Sequence, residues 1–309
     1  MTDLEVRKID FSFDDTIPFQ WLPGHPKFGL MLNAISIIAI AFEKFIVAST
    51  RRAIPLITDP VAAEEAEAFL RQEAQHAKNH RRHVAALVRK YPGLQETVDQ
   101  AVASYDRLLE TEPLAFQLAY TADLEATFTP IFKLMLDHED ELFRPGDERV
   151  GSLFLWHFCE EIEHRSSGLI VYDAVVRSRW YRTRATRKVF RHVMRLYRDI
   201  LEGFDKHVPE ADRNAGYRHI SPDGMRREEV VNRLPLPTAW RQRIGIFPPS
   251  PFEPASNREM LTLVYRLARS QQPYHKPATE PLPPFADAWF RLYDTGADIT
   301  TYYSSARAG

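Results

Sequence analysis

Two copies of one short motif constrain this chain more than any other feature of its sequence. Residues 73–76 (EAQH) and 161–164 (EIEH) both have the form Glu-x-x-His, and both lie in segments with helical periodicity. Side chains three residues apart on an α-helix share one face, so the carboxylate and the imidazole of each motif can bind the same metal ion.

Each motif follows a lone glutamate that lies in an apolar helical stripe. Glu43 lies in the run MLNAISIIAIAFEKFIVA and Glu125 lies in LAFQLAYTADLEATF. The order Glu, Glu-x-x-His, Glu, Glu-x-x-His is the ligand arrangement of carboxylate-bridged dinuclear metal sites in four-helix bundles. We therefore predict an all-α bundle with a dinuclear site. The predicted ligands are Glu43, Glu73, His76, Glu125, Glu161 and His164.

The cost of burial supports this prediction. An unpaired charge in a protein core is strongly destabilising, and two divalent cations would balance the charge of the four glutamates. The alternative is that each glutamate pairs with an arginine inside the bundle, but the four apolar stripes contain no arginine. Carboxylate and imidazole ligands without nearby thiolates favour iron, manganese or a mixed pair over structural zinc.

Several neighbouring residues receive their own predictions. His157 precedes Glu161 by one helical turn and is predicted as a seventh ligand. His83 is predicted at the surface, and Glu160 and Glu163 are predicted on the polar face of their helix. Four further residues are predicted near the site, where each either contacts a ligand without binding metal or packs beside it. They are His80, Thr129, Tyr120 and Tyr172.

Periodicity and helix-breaking residues predict four core helices. Helix C begins near Pro113, and a polar helical connector at 94–110 precedes it. Pro130 lies inside the stripe of helix C, which predicts either a kink beyond Glu125 or a helix end at Thr129. The other three core helices cover about 28–52, 61–91 and 148–178.

The rest of the chain is predicted to surround these helices. Residues 179–207 form a basic, amphipathic stretch that indicates a fifth helix. Prolines are dense from 209 to 284, and only short helices are predicted there, such as 255–270, before a final amphipathic segment around 285–303. We expect a bundle with its fifth helix over 1–208 and an extension over 209–309 that packs on it.

Composition limits the class of protein. The 309 residues are 44% hydrophobic and 27% charged, which is typical of a soluble globular chain, and a net charge of −2 gives no indication of nucleic-acid binding. The single cysteine, Cys159, excludes an internal disulfide framework, and the N-terminus lacks signal-peptide features, so we expect a cytoplasmic location. Polar residues interrupt the apolar run 31–48, which we interpret as a core helix rather than a membrane span.

The ligand pattern resembles the ferritin-like diiron carboxylate proteins. The run His157-x3-Glu161-x2-His164 is similar to the arylamine N-oxygenases, whose site has a third histidine there. The layout of residues 15–260, including MLNAISIIAIAFEKF, RQEAQHAKNHRRH and WHFCEEIEHR, resembles a bacterial group described as predicted metal-dependent hydrolases. The resemblance implies a ferritin-like four-helix bundle with a diiron centre that could activate dioxygen.

Two reactions compete on these residues. The first interpretation is an oxygenase that acts on a small organic substrate, and it requires an external electron donor because the chain has no flavin, nicotinamide or iron–sulfur motif. The alternative is a hydrolase in which two metal ions lower the pKa of a shared water. Iron storage is disfavoured because about 100 residues follow the fourth core helix, which is more than a cage subunit needs. The oligomeric state is open, with a homodimer as one option.

Overall fold

The computed structural model describes residues 4–217 and 251–308, and these parts of the chain form twelve α-helices and no strand. The all-α, ferritin-like prediction is confirmed. The helices that carry the predicted ligands are α1 (Pro26–Ala53), α2 (Pro60–Lys90), α4 (Leu114–Asp137) and α6 (Glu148–Glu163). The others are α3 (Leu94–Thr111), α5 (Glu139–Leu142), α7 (Ser167–Val175), α8 (Arg179–His207), α9 (Glu210–Arg213), α10 (Asn257–Ser270), α11 (Pro284–Asp294) and α12 (Tyr302–Ala308).

Local sequence explains where the ligand-bearing helices begin. α1 and α2 each have a proline in the first turn, where a missing N–H is harmless. The carboxylate of Asp59 accepts a hydrogen bond from the Val61 N–H at the start of α2, and Asp147 accepts from the Arg149 N–H at the start of α6. These caps stabilise the free N–H groups of the first turn and fix where each helix starts.

α1 is the apolar centre of the fold. It packs against α2, α3, α4 and α8. Among the described residues one helical stretch, Pro26–Leu56, is long and apolar enough to cross a membrane, but 78% of its most apolar window is buried inside the protein. This burial supports the interpretation of α1 as a core helix.

The predicted fourth core helix is two helices. α6 ends at Glu163, His164 lies in the following turn, and α7 begins at Ser167. The break lets the chain pass close to α4, where a Cβ on Gly168 would lie 2.9 Å from Cγ of Glu125. The single-helix prediction was wrong because the apolar spacing continues across the short turn, while Ser166 gives only a weak signal for a new start.

α4 continues through Pro130 to Asp137, so a helix end at Thr129 is excluded. Proline removes one backbone hydrogen bond, and the carbonyl of Ala126 loses its usual partner. Packing of α4 against α1, α6, α7 and α8 holds the helix together across this defect.

The remaining segments cover the bundle from several sides. α8 confirms the fifth helix and packs on α1, α3 and α4, whereas α10 packs on α4 and α12 packs on α6. Before α1, an extended segment buries Phe11, Phe13 and other alternating apolar side chains against the helices. Residues 218–250 of the predicted proline-rich region lie outside the described residues, and the division at 208 stays a prediction.

Candidate metal centre

All seven predicted ligands are buried, and they converge from α1, α2, α4, α6 and the turn after α6. They form two groups in which every ligand atom lies within 4.8 Å of the others. Glu161 belongs to both groups, so its two oxygens can bridge two ions. The first group is Glu43, His76, His157 and Glu161, and the second is Glu73, Glu125, Glu161 and His164.

The first Glu-x-x-His motif is divided between the groups. His76 Nδ1 lies 3.5 Å from Oε1 of Glu161 but 3.9 Å from Oε2 of Glu73. The opposite nitrogen of the ring, Nε2, lies 2.8 Å from a carboxylate oxygen of Glu160 on α6, which draws the ring toward that helix. The separation of 3.9 Å still lets Glu73 and His76 share an ion, so the expectation that both bind the same ion stays a prediction.

The unpartnered polar atoms of the site test whether metal ions fit. Buried polar atoms in proteins are nearly always hydrogen-bonded, and an unpaired one is costly. Among the described residues, the ligand atoms without a hydrogen-bond partner are Glu43 Oε2, both oxygens of Glu73, His76 Nδ1, both oxygens of Glu125, Glu161 Oε2 and His164 Nε2. Two divalent cations would satisfy these atoms, so the side chains fit a dinuclear metal centre.

Each histidine ligand is oriented through its other ring nitrogen. His76 Nε2 donates to Glu160, and His164 Nδ1 donates to the side-chain oxygen of Gln72 at 3.0 Å. His157 Nδ1 lies 2.8 Å from His80 Nε2. Such contacts orient the rings. Nδ1 of His76 and Nε2 of His164 are left without a hydrogen-bond partner among the described residues, whereas Nε2 of His157 lies 2.9 Å from Oε1 of Glu161.

Glu160 and Glu163 are not ordinary residues of a polar face. Glu160 is fully buried, and Arg7 of the N-terminal segment donates to its Oε1 at 3.3 Å and to Oε2 of Glu163 at 2.8 Å. The prediction assumed a solvated opposite face, but the N-terminal segment covers it. Arg7 and Gln72 carry no signal in the sequence, because nothing local indicates what they contact.

His83 is buried, so its predicted surface position is wrong. Its Nδ1 lies 2.9 Å from the hydroxyl oxygen of Ser36, and the same oxygen lies 2.7 Å from Nδ1 of His80. Burial lowers the pKa of His83 to about 4, and burial together with His157 lowers that of His80. Both rings are therefore neutral, and they form a hydrogen-bonded row behind His157.

Burial and neighbouring charges shift the pKa values of the four ligand carboxyls, and one of them shifts in the opposite direction from the other three. Burial, with repulsion from neighbouring carboxylates, raises the pKa of Glu43, Glu73 and Glu125. Burial also disfavours ionised Glu161, but His164, His157 and His76 lower the pKa of this carboxyl well below its usual range. No lysine or arginine of residues 4–217 and 251–308 forms an ion pair with any of the four ligand carboxylates.

A cavity of about 300 Å³ adjoins the first group. Glu43, His157 and Glu161 form part of its wall, and apolar side chains of α1, α4 and α8 form most of the rest. Cavities of this size are at the lower end of the range for small-molecule sites. The first group is therefore the one that lies beside the cavity.

A family model with the description "predicted metal-dependent hydrolase" matches residues 5–239. The chain belongs to this family. Searches of curated proteins and of solved structures found no match. The two buried carboxylate and histidine groups are what a member of a metal-dependent family requires. The family description supports the hydrolase alternative better than the oxygenase interpretation, which stays a prediction, as does the identity of the metal as iron.

The other residues predicted near the ligands differ in position. His80 contacts His157 directly. Tyr120 hydrogen-bonds with Tyr105 and His192, and Tyr172 donates to the carbonyl of Ser178, which are the contacts of packing residues. Thr129 is buried, and its hydroxyl has no partner among the described residues, so a supporting role for it stays a prediction.

Proposed function

We propose that this protein of the metal-dependent hydrolase family uses a dinuclear metal centre to hydrolyse a small organic molecule. The observation that carries the proposal is the pair of ligand groups that share Glu161 and contain buried atoms without protein partners. Seven ligands on four helices and one turn satisfy the coordination needs of two ions better than those of one.

The protein's own residues give this centre its working environment. Two bound divalent cations would lower the pKa of a shared water and polarise a substrate oxygen. Glu160, Gln72 and His80 hold the three imidazoles in position, while the cavity wall beside Glu43 and His157 is mainly apolar. Rigidly held ligands favour catalysis at a metal centre.

Oxidation with dioxygen is the second candidate. It is favoured by the ligand chemistry, since four glutamates and three histidines in a helical bundle are typical of redox-active iron or mixed iron and manganese sites. This candidate requires an external electron donor.

One experiment separates the two reactions. The full-length protein is loaded anaerobically with Fe(II), Mn(II) or Zn(II), and the cleavage of 4-nitrophenyl butyrate and 4-nitrophenyl phosphate is measured alongside oxygen uptake. Hydrolysis predicts cleavage with all three metals, which is lost in Glu161→Ala and retained in the exposed control Glu141→Gln. Oxygen uptake by the Fe(II) form without cleavage of either ester would reject hydrolysis and support oxidation.

A further inference from the structure

The cavity beside the first ligand group is almost without charge. Apart from Glu43, His157 and Glu161, the described residues that line it include no acidic, basic or imidazole side chain. Phe42, Phe128 and Val193 are typical of its wall. A charged group would lose its hydration against this apolar wall and find no counter-charge there, so the wall selects against charged groups.

The size of the cavity sets the size of its ligand. A dry apolar cavity of roughly 150 Å³ holds one benzene molecule. At about 300 Å³ this cavity has room for a molecule of about two rings, or for an aliphatic group of similar volume.

Two of the residues that line the cavity carry an uncharged hydroxyl, and only one of these hydroxyls has a hydrogen-bond partner among the described residues. The hydroxyl of Thr127 donates to the carbonyl of Asp123 at 2.8 Å and accepts from Gln271 at 2.9 Å. The hydroxyl of Tyr197 on α8 is buried and has no hydrogen-bond partner within residues 4–217 and 251–308. Leaving such a group unpaired costs free energy, which a ligand with a polar atom would recover.

We propose that this cavity is the substrate site, that it takes an uncharged aromatic or aliphatic molecule with one hydrogen-bonding group, and that Tyr197 positions the molecule by bonding to that group. The inference rests on the proposed function, because it supplies the substrate class of the same centre. Burial raises the pKa of Tyr197, so its hydroxyl stays neutral and can both donate and accept. Tyr197 is a positioning residue and is not one of the metal ligands.

The test is calorimetric titration of the full-length protein with three probes of one shape: 2-naphthol, naphthalene and 2-naphthoate. The protein is titrated after loading with Zn(II) and again after chelation, since bound zinc would coordinate the carboxylate of 2-naphthoate directly. In the metal-free form we expect 2-naphthol to bind at least a hundredfold more tightly than 2-naphthoate.

Substitutions in the cavity wall test which residues contact the probes. Tyr197→Phe should weaken 2-naphthol about three- to tenfold in both forms and leave naphthalene unchanged, because a single neutral hydrogen bond is lost. The matched control is Tyr91→Phe, since Tyr91 is equally buried and its hydroxyl bonds to Asp212 outside the cavity. Ala39→Phe fills the cavity from α1 and should abolish the binding of both neutral probes, and Val193→Phe replaces it if that variant does not fold.

Similar affinities for 2-naphthoate and 2-naphthol in the metal-free form would overturn the proposal. Equal effects of Tyr197→Phe and Tyr91→Phe, or unchanged binding in a folded cavity-filled variant, would also overturn it. Metal content, measured separately, tests the proposed function, so failure to bind metal and failure of the cavity to bind the probes are distinguishable.

Discussion

Asp123 and Glu125 lie two residues apart on α4, and both are buried, but the protein compensates them differently. Asp123 accepts from Arg182 at 3.0 Å and from the Thr186 hydroxyl at 2.9 Å, both on α8. Glu125 points to the ligand groups, and neither of its oxygens has a hydrogen-bond partner among the described residues. Asp123 has an arginine partner supplied by the fold, whereas the nearest basic group to Glu125 is the imidazole of His164, 3.5 Å away, which is itself a predicted ligand.

This contrast shows how a ligand can be distinguished from a structural acid. Because Asp123 and Glu125 are two residues apart in a helix, their side chains lie on opposite faces and contact different parts of the molecule. The presence or absence of an arginine partner then separates structural charges from functional ones. The following predictions test that distinction, from the largest expected effect to the smallest.

Replacing Asp123 by asparagine should destabilise the protein by about 3–5 kcal/mol, because Arg182 becomes a buried cation without its counter-charge. Metal content of the folded protein should not change. Urea unfolding measures the effect, with Asp173→Asn as the control, since Asp173 forms an exposed pair with Arg179. Equal losses for the two variants would show that Asp123 is not a structural charge.

Replacing Glu161 by alanine should reduce bound metal from two ions per chain to one or none, because both ligand groups lose a member. Metal analysis after gel filtration measures the ratio. Retention of two tightly bound ions would contradict a shared role for Glu161.

Glu160→Gln should weaken binding at the first group by about 10- to 100-fold, because a neutral partner holds and polarises His76 less strongly than a carboxylate. Competition with a chelator measures the affinity. Glu5→Gln is the control, since the exposed carboxylate of Glu5 also pairs with Arg7, at 3.2 Å. Equal effects of the two variants would assign the change to Arg7 instead of His76.

Glu125→Gln should change the unfolding free energy of the metal-free protein by less than about 1 kcal/mol, or should raise it, because an uncompensated buried acid is removed. Metal affinity should fall in the same variant. Urea unfolding in excess chelator gives the stability. A loss comparable to that of Asp123→Asn would mean that the protein itself compensates Glu125.

Sequence patterns predicted which of these side chains are buried and converge, because helical periodicity is local. The positions of Glu43 and Glu125 in apolar stripes were enough to place them inside the bundle, and the same spacing placed His157 beside Glu161. The errors at His83 and Glu160 have a common cause. A helix face that looks solvated is buried when a remote segment covers it, and helical periodicity does not indicate where the N-terminal segment lies.

The sequence by itself determined which residues form helices and which side chains face inward, because hydrogen bonding and spacing within a helix depend on neighbours only a few positions away. The tertiary structure alone decided how the ligands divide. It put His76 with His157 instead of with Glu73, brought Arg7 to Glu160, ended α6 before His164 and left a cavity beside Glu43. These features depend on contacts between segments far apart in the chain, which packing of the whole molecule brings together.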